Sequence, residues 1–332
     1  MGIKGLTQLI KLNSPDAIET INLHKLSGKT IAIDASLFMY KMLINVRKSD
    51  QSYFTSKEGK IVSHITGIFY KTTNYLAVNI TPIYVFDGKP PENKCDVLKN
   101  RNDKVANAKA AMENTELTEE QKNNLEKQTV RLKKQHVDDI KQLLDLMGVS
   151  YVQADGEAEA YASEMCRKGM VDYVVTEDMD TLAFGCPRMI RTCLDKSIKR
   201  SDVISVITLD KVLEGFSMNH TEFIDMCILC GCDYCENLPR IGNKTAFNHI
   251  KKFKTIESLL PKIKALPECY EVKYKESRRL FTMYHDTLNL DELNIHHSEI
   301  RFDELFEYLT KTCSMSEKRV QNGIKKIQQG YK

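Results

Sequence analysis

Three short apolar runs in this chain stop abruptly at aspartate, and that shared ending constrains the fold more than any other feature. Thr30-Ile31-Ala32-Ile33 runs into Asp34, and Pro82-Ile83-Tyr84-Val85-Phe86 runs into Asp87-Gly88. The stretch that begins at Val171 runs through Val174-Val175-Thr176 into Glu177-Asp178-Met179-Asp180. Runs of this length, rich in β-branched residues, read as buried strands. Helical spacing separates them, over 35–47 and again over 62–78. Strands alternating with helices predict an α/β fold with a mostly parallel central sheet flanked by helices. Ligands of such sheets sit beyond the carboxyl ends of the strands, which places Asp34, Asp87, Asp178 and Asp180 at one edge. A single aspartate there can simply cap the next helix. Three strands that end alike favour a shared metal site.

Extended backbone in the third run predicts that Asp178 and Asp180, two residues apart, aim at one point. Carboxylates that close repel, and a divalent cation between them relieves the repulsion. Glu157 and Glu159 add two acids in the first turn of a helix of small residues, where the helix dipole also favours them. Asp233, in Cys230-Gly231-Cys232-Asp233, is a seventh acid. Oxygen ligands with no obvious histidine partner suit Mg²⁺ or Mn²⁺ rather than zinc. So many acids exceed the needs of one ion, and two ions roughly 4 Å apart are the natural reading. Cys227, Cys230, Cys232 and Cys235 suggest a four-thiolate site. They crowd nine residues around Asp233, however, and are read as buried, reduced cysteines.

The net charge of +3 is too small to identify a partner, so the position of the charge matters more. Residues 92–135 are rich in lysine and arginine and poor in large apolar residues. Two helices joined near Asn114 fit them, with a capping box of Thr118 and Gln121 opening the second. This segment is either a solvated helical excursion or a cationic arch over a polyanion. Further helices are expected at 137–147 and from Leu209 onward, with strands at 149–152 and near 203–207. The ten cysteines show no secreted disulfide framework and read as reduced thiols of an intracellular protein. No apolar run approaches the length of a membrane span.

Five segments, TIAIDAS, YVFDGKPP, DGEAEAYA, TEDMDTLAFG and GCDYCENLPRIGNKTA, resemble the motif set of flap endonucleases, in the structure-specific 5′ nuclease family. The match runs in order from MGIKGL to about Lys326. The resemblance implies that Asp34, Asp87, Glu157, Glu159, Asp178, Asp180 and Asp233 are metal-site acids. Lys94 and Arg101 would then be the arch-base cations at the scissile phosphate, and Tyr40 would stack on a base beside the cut. Arg47, Arg319 and Gly2 also match DNA-facing positions. Gly242 and Lys244 lie in the turn of a helix-two-turn-helix at about 225–250, where the family holds a monovalent cation, usually K⁺.

The implied organisation is a single nuclease domain over 1–332. Its parts are an N-terminal section (1–91), the arch (92–135), an internal section (136–260) and a C-terminal helical DNA-binding section (261–332). The implied activity is cleavage of a 5′ flap near its junction with duplex DNA, in Okazaki-fragment maturation and long-patch base excision repair. The protein is expected to be monomeric, and nuclear if eukaryotic. A 5′→3′ exonuclease or gap nuclease, and a non-cutting junction-binding scaffold, are the alternatives. Val62 and Cys313-Ser314-Met315 depart from the family's pocket for a one-nucleotide 3′ flap. The glutamine with paired aromatics that binds the sliding clamp is not found in this chain after Gln329-Gly330-Tyr331-Lys332; either the natural tail is missing from this sequence or this member does not use that route, and a sliding clamp stays a possible partner.

Overall fold

The computed structural model describes residues 2–47, 52–89, 95–112, 117–263, 266–283 and 295–330. The strands, in chain order, are β1 (Ile18–Asn22), β2 (Thr30–Asp34), β3 (Thr81–Phe86), β4 (Ser150–Gln153), β5 (Tyr173–Val175), β6 (Arg188–Thr192) and β7 (Val203–Thr208). The helices begin with α1 (Leu6–Asn13), α2 (Ala35–Asn45), α3 (Ser63–Leu76), α4 (Cys95–Met112), α5 (Glu119–Thr129), α6 (Lys134–Leu146), α7 (Ala158–Arg167) and α8 (Asp180–Ala183). They continue with α9 (Leu209–Phe216), α10 (His220–Cys230), α11 (Asn243–Phe253), α12 (Ile256–Leu259), α13 (Tyr270–Thr282), α14 (Phe302–Glu307) and α15 (Glu317–Gly330).

The chain forms two compact units that interleave along the sequence. The first comprises 1–34, 87–90 and 154–293, and the second 35–86, 91–153 and 294–332. In the first unit, β2 and β5 pair in parallel with Ile33 opposite Val175, and β5 and β6 pair in parallel with Val174 opposite Met189. Beyond them β7 runs antiparallel to β6, and β1 antiparallel to β7. The predicted parallel arrangement therefore holds at β2, β5 and β6, and gives way to an antiparallel margin. The core of this unit surrounds α10, where every residue from Phe223 to Cys230 is buried. A helix enclosed on all sides carries apolar residues all round. Its one buried acid, Asp225, is neutralised by the guanidinium of Arg278, which donates to it at 2.8 Å from Nε and from Nη2.

In the second unit, β3 and β4 pair in parallel with Phe86 opposite Gln153, and His296 bridges Tyr151 in the antiparallel sense. Helix α3 is buried along most of its length and packs against α2, α6, α15 and β3. The basic excursion forms α4 and α5, which pack chiefly on one another. Thr118 and Gln121 make the predicted reciprocal cap at the start of α5. The joint expected near Asn114 and the cation Lys94 lie outside the described residues. No helix among the described residues is long and apolar enough to cross a membrane.

Candidate metal centre

All seven predicted acids fall in the first unit, although they come from three separate stretches of chain. Asp34 closes β2 and is 3% exposed. Because Ile33 lies opposite Val175, Asp34 sits at the same carboxyl edge as the exit of β5.

That exit does not continue as extended chain. Met179 has helical dihedrals (φ −79°, ψ −9°), and Asp180 opens α8. The Asp178 carboxylate accepts the Asp180 N–H at 3.1 Å, and the Asp178 N–H donates to Thr176 Oγ1 at 3.1 Å. Local side-chain bonds of this kind compete with extended pairing, so the convergence expected from strand periodicity is replaced by a tight turn. The two carboxylates still meet, because both face Gly2. A Cβ on Gly2 would stand 1.8 Å from Asp178 Oδ1 and 2.6 Å from Asp180 Oδ1. Gly2 also has φ +79°, which disfavours any L side chain.

Glu157 is the N-cap of α7, and Glu159 lies in its first turn. Asp87 is exposed and accepts the Ala158 N–H at 2.8 Å, so it caps α7 rather than the helix that follows it in sequence. Gly88 N–H donates to Gly156 O at 2.7 Å, and a Cβ on Gly88 would meet Ala154 O at 2.2 Å. This close backbone approach brings Asp87 to the start of α7.

The residue that ties the group together was not predicted. Buried Tyr234 donates its hydroxyl to Glu157 Oε2. Burial pushes the Tyr234 phenol far above its usual range, and the charges of Glu157, Asp180 and Glu159 push it further. The charges of Glu157, Asp180 and Glu159 therefore all act on one hydroxyl, on the turn that also carries half-buried Asp233. Tyr234 stands beside Asp233 in GCDYC, but a tyrosine between cysteines carries no ligand signature that spacing alone could reveal.

The amino-terminal strand of chain holds this turn in place. Lys4 N–H donates to Gly231 O at 3.1 Å, Lys4 Nζ to Asn237 Oδ1 at 3.1 Å and Asn243 Nδ2 to Gly5 O at 3.2 Å. Helix α11 starts at Asn243 with Gly242 as its N-cap in extended backbone, and Lys244 is exposed. A Cβ on Gly242 would meet open space.

The four clustered cysteines are all free and buried. Burial raises the thiols of Cys227 and Cys232 well above their usual range, takes Cys230 to about 12 and Cys235 to about 11. Thiols held protonated do not suit a zinc site.

Among the described residues, no three of histidine, cysteine, aspartate and glutamate form a ready-made metal cage. The acids nonetheless fit hard divalent ions. Their donors are all oxygen, Asp178 and Asp180 converge on Gly2, and the fields of Glu157, Glu159 and Asp180 overlap at Tyr234.

The other predicted residues belong to the second unit. Tyr40 is half-buried on α2. The Arg47 guanidinium lies 3.3 Å over the Tyr53 ring, and its Nε donates to Ile44 O at 3.0 Å. Arg101 falls within α4, with its side chain outside the described set. Arg319 lines a cavity of about 340 Å³ together with Tyr70, Asn74 and Lys326.

Two family profiles match the chain, the XPG N-terminal domain over residues 1–108 and the XPG I-region over 148–233. Flap endonuclease 1 of Lodderomyces elongisporus is 38% identical across 100% of this chain and 88% of its own length. Flap endonuclease 1-A of Sorghum bicolor is 39% identical across 98% of this chain and 86% of its own. Among solved structures, the flap endonuclease-1 from Methanococcus jannaschii matches with a TM-score of 0.69 at 27% identity, over 93% of this chain and 95% of that one. The catalytic core of Rad2 in complex with DNA substrate has a TM-score of 0.71 at 18% identity over 98% of this chain and 100% of that one, a likeness of fold. Nearly full-length identity of this order, with the acids gathered as described, means that the chain belongs to the flap endonuclease 1 family of XPG-type nucleases.

Proposed function

We propose that the protein binds the junction between duplex DNA and a 5′ single-stranded flap and cuts the phosphodiester beside it, leaving a 5′-phosphate and a 3′-hydroxyl. Its family makes it a metal-dependent phosphodiesterase. The observation that carries the reading is the cluster in which Asp178 and Asp180 face Gly2 while Glu157 accepts from Tyr234, on which Asp180 and Glu159 also act by charge. Asp34, Asp87, Glu157, Glu159, Asp178, Asp180 and Asp233 would hold two divalent ions, some directly and some through water. Mg²⁺, with Mn²⁺ as a substitute, would supply an activated water and charge stabilisation for the leaving oxygen.

The chain's own residues bind and orient. Tyr234 fixes the Glu157 carboxylate, and Gly2 leaves the space in which Asp178 and Asp180 converge. Lys94 and Arg101 would contact the scissile phosphate and offset charge that develops there. Tyr40 would stack on a base at the junction. Arg47, Gly242, Lys244 and Arg319 would hold backbone phosphates, which positions DNA without reading sequence. K⁺ would order the turn between α10 and α11. The protein would act as a monomer, in the nucleus if its source is eukaryotic, with a sliding clamp as a possible partner.

The test uses labelled single-flap, double-flap, gapped and blunt DNA, with Mg²⁺ and with EDTA. Cleavage one or a few nucleotides from the flap junction, abolished by EDTA, is expected. Preference for gapped or blunt DNA would make the protein a gap nuclease or exonuclease. Tight junction binding without cleavage in any metal would leave a scaffold.

A further inference from the structure

In the first unit, one arginine outside the group of acids grips the turn that carries two of them. Arg191 stands on β6, one residue past Ile190, which lies opposite Val175 at the end of β5. Its side chain is 15% exposed, and its guanidinium reaches three residues. Nε and Nη2 donate to Glu177 Oε2 at 3.4 and 3.3 Å. Nη1 donates to Met179 Sδ at 2.9 Å and to Thr7 Oγ1 at 3.0 Å. The other carboxylate oxygen of Glu177 accepts the Thr192 N–H at 3.0 Å and also the Thr192 hydroxyl. Glu177 and Met179 flank Asp178, and Met179 directly precedes Asp180. Thr7 lies in the first turn of α1, the helix that follows Gly2.

We infer that Arg191 is a positioning residue for the candidate metal centre, whose guanidinium fork sets the Asp178–Asp180 turn against the amino-terminal segment that carries Gly2. The inference rests on the nuclease reading above. Asp178 and Asp180 converge on Gly2 from a turn, so the geometry of the pair depends on what holds that turn to the chain around Gly2. Arg191 holds both pieces at once, through Glu177 and Met179 on one side and Thr7 on the other. Met179 is 3% exposed, so its contact lies in a packed setting. Glu177 is drawn to Arg191 and Thr192, which leaves Asp178 and Asp180 as the acids of this run that face Gly2. A guanidinium presents five N–H donors in one plane, in fixed directions. An ammonium group carries the same charge on a flexible stem and does not reproduce that fork. Groups that orient metal ligands without touching the ion typically change metal affinity or activity by about 10- to 100-fold when removed.

The test measures Mn²⁺ binding to the folded, DNA-free protein by calorimetry, beside flap cleavage and metal-free thermal melts. Arg191→Ala should weaken Mn²⁺ binding about 10- to 100-fold and raise the Mn²⁺ concentration for half-maximal cleavage by a similar factor. Arg191→Lys keeps the charge without the fork and should lose as much. Arg188→Ala, on the same strand but over the Tyr173 ring, should bind Mn²⁺ as the parent does. A lowered melting temperature in Arg191→Ala, with unchanged Mn²⁺ affinity of the folded protein, would make the residue a structural brace and overturns the inference. Full recovery in Arg191→Lys also overturns it, because charge rather than geometry would then be acting. If Arg191→Ala does not fold, Thr7→Val removes a single contact of the guanidinium. It should weaken Mn²⁺ binding about threefold at the parent's melting temperature, and unchanged affinity there overturns the inference. A parent that neither binds Mn²⁺ nor cuts a labelled flap overturns the nuclease reading and this inference together. A parent that does both, matched by Arg191→Ala, overturns this inference alone.

Discussion

Both units bury acids matched by cations, but the first also gathers buried acids against one another. In the second unit, Asp139 lies under a ring of donors. Lys60 Nζ donates to it at 2.8 Å and Gln135 Nε2 at 2.9 Å, and His64 Nε2 stands 3.4 Å away. Burial alone would raise this carboxyl, but nearby His64 and the hydrogen bonds from Lys60 and Gln135 outweigh it and hold the group well below the usual range. Asp225 and Glu164 in the first unit are likewise matched by Arg278 and Arg167. At the candidate metal centre, by contrast, the described contacts of Glu157, Asp178 and Asp180 include a phenol, a backbone N–H group and the charge of neighbouring acids. A buried acid matched by its own neighbours serves stability. Buried acids gathered against one another weaken the fold, and they make sense when a cation from outside completes them.

Substituting one acid from each class breaks the comparison most directly. Asp180→Ala should reduce flap cleavage by about a thousandfold, the equivalent of about 4 kcal/mol of lost transition-state stabilisation. Flap binding in Ca²⁺ should persist, and the metal-free melting temperature should not fall. A destabilised Asp180→Ala would place this acid with Asp139. Asp139→Ala should show the reverse, with about 3 kcal/mol of stability lost in urea unfolding because Lys60 and His64 lose their shared partner. Catalysis by the remaining folded protein should be little changed.

Two substitutions sharpen the contrast at smaller scale. Tyr234→Phe removes the hydroxyl that orients Glu157. The Mg²⁺ concentration giving half-maximal cleavage should rise about 10- to 100-fold, with the melting temperature nearly constant. If the two properties decline together, Tyr234 is a packing residue. His136 packs on His64, with ring centroids 4.8 Å apart. Burial, reinforced by the charge of His64, lowers its pKa to about 4. A depressed histidine contributes stability in full above pH 6.5 and loses it as pH falls from 6.5 to about 4. His136→Gln should remove about 1–2 kcal/mol of that acid-side loss, discounted for partial exposure, in melts taken across the same range. The smallest effect is expected from Arg319→Ala. It should weaken junction binding evenly across sequences and reduce the slope of log affinity against log salt by about 1, as read by titration at several salt concentrations.

Much of this was legible in the chain because the signals were local. β2, β3 and β7, and the two helices of the basic excursion, follow from runs of β-branched residues, helical spacing and the Thr118 cap. β1 and β6 were missed. Ile18–Asn22 and Arg188–Thr192 are short and carry Glu19, Arg188 and Arg191, so no apolar run announces them. In β6 the arginines are accommodated by tertiary partners, with Arg191 on Glu177 and Arg188 over the Tyr173 ring. Candidate acids could be picked out because strand ends are readable. Their meeting place was not, because Asp178 turns the chain with its own side chain, and because Tyr234 and Gly2 join the group only through contacts distant in sequence.

The interleaving of the two units also bears on how the protein is made. The Asp87 bond to α7 waits for residue 158, the Lys4 bond for residue 231 and the Gly5 bond for residue 243. On the ribosome, Asp34 and Asp87 emerge long before the turn that carries Tyr234 and Asp233. A half-finished polypeptide therefore lacks the hydroxyl that Glu157 accepts from, and the candidate centre cannot close until the order of synthesis delivers it.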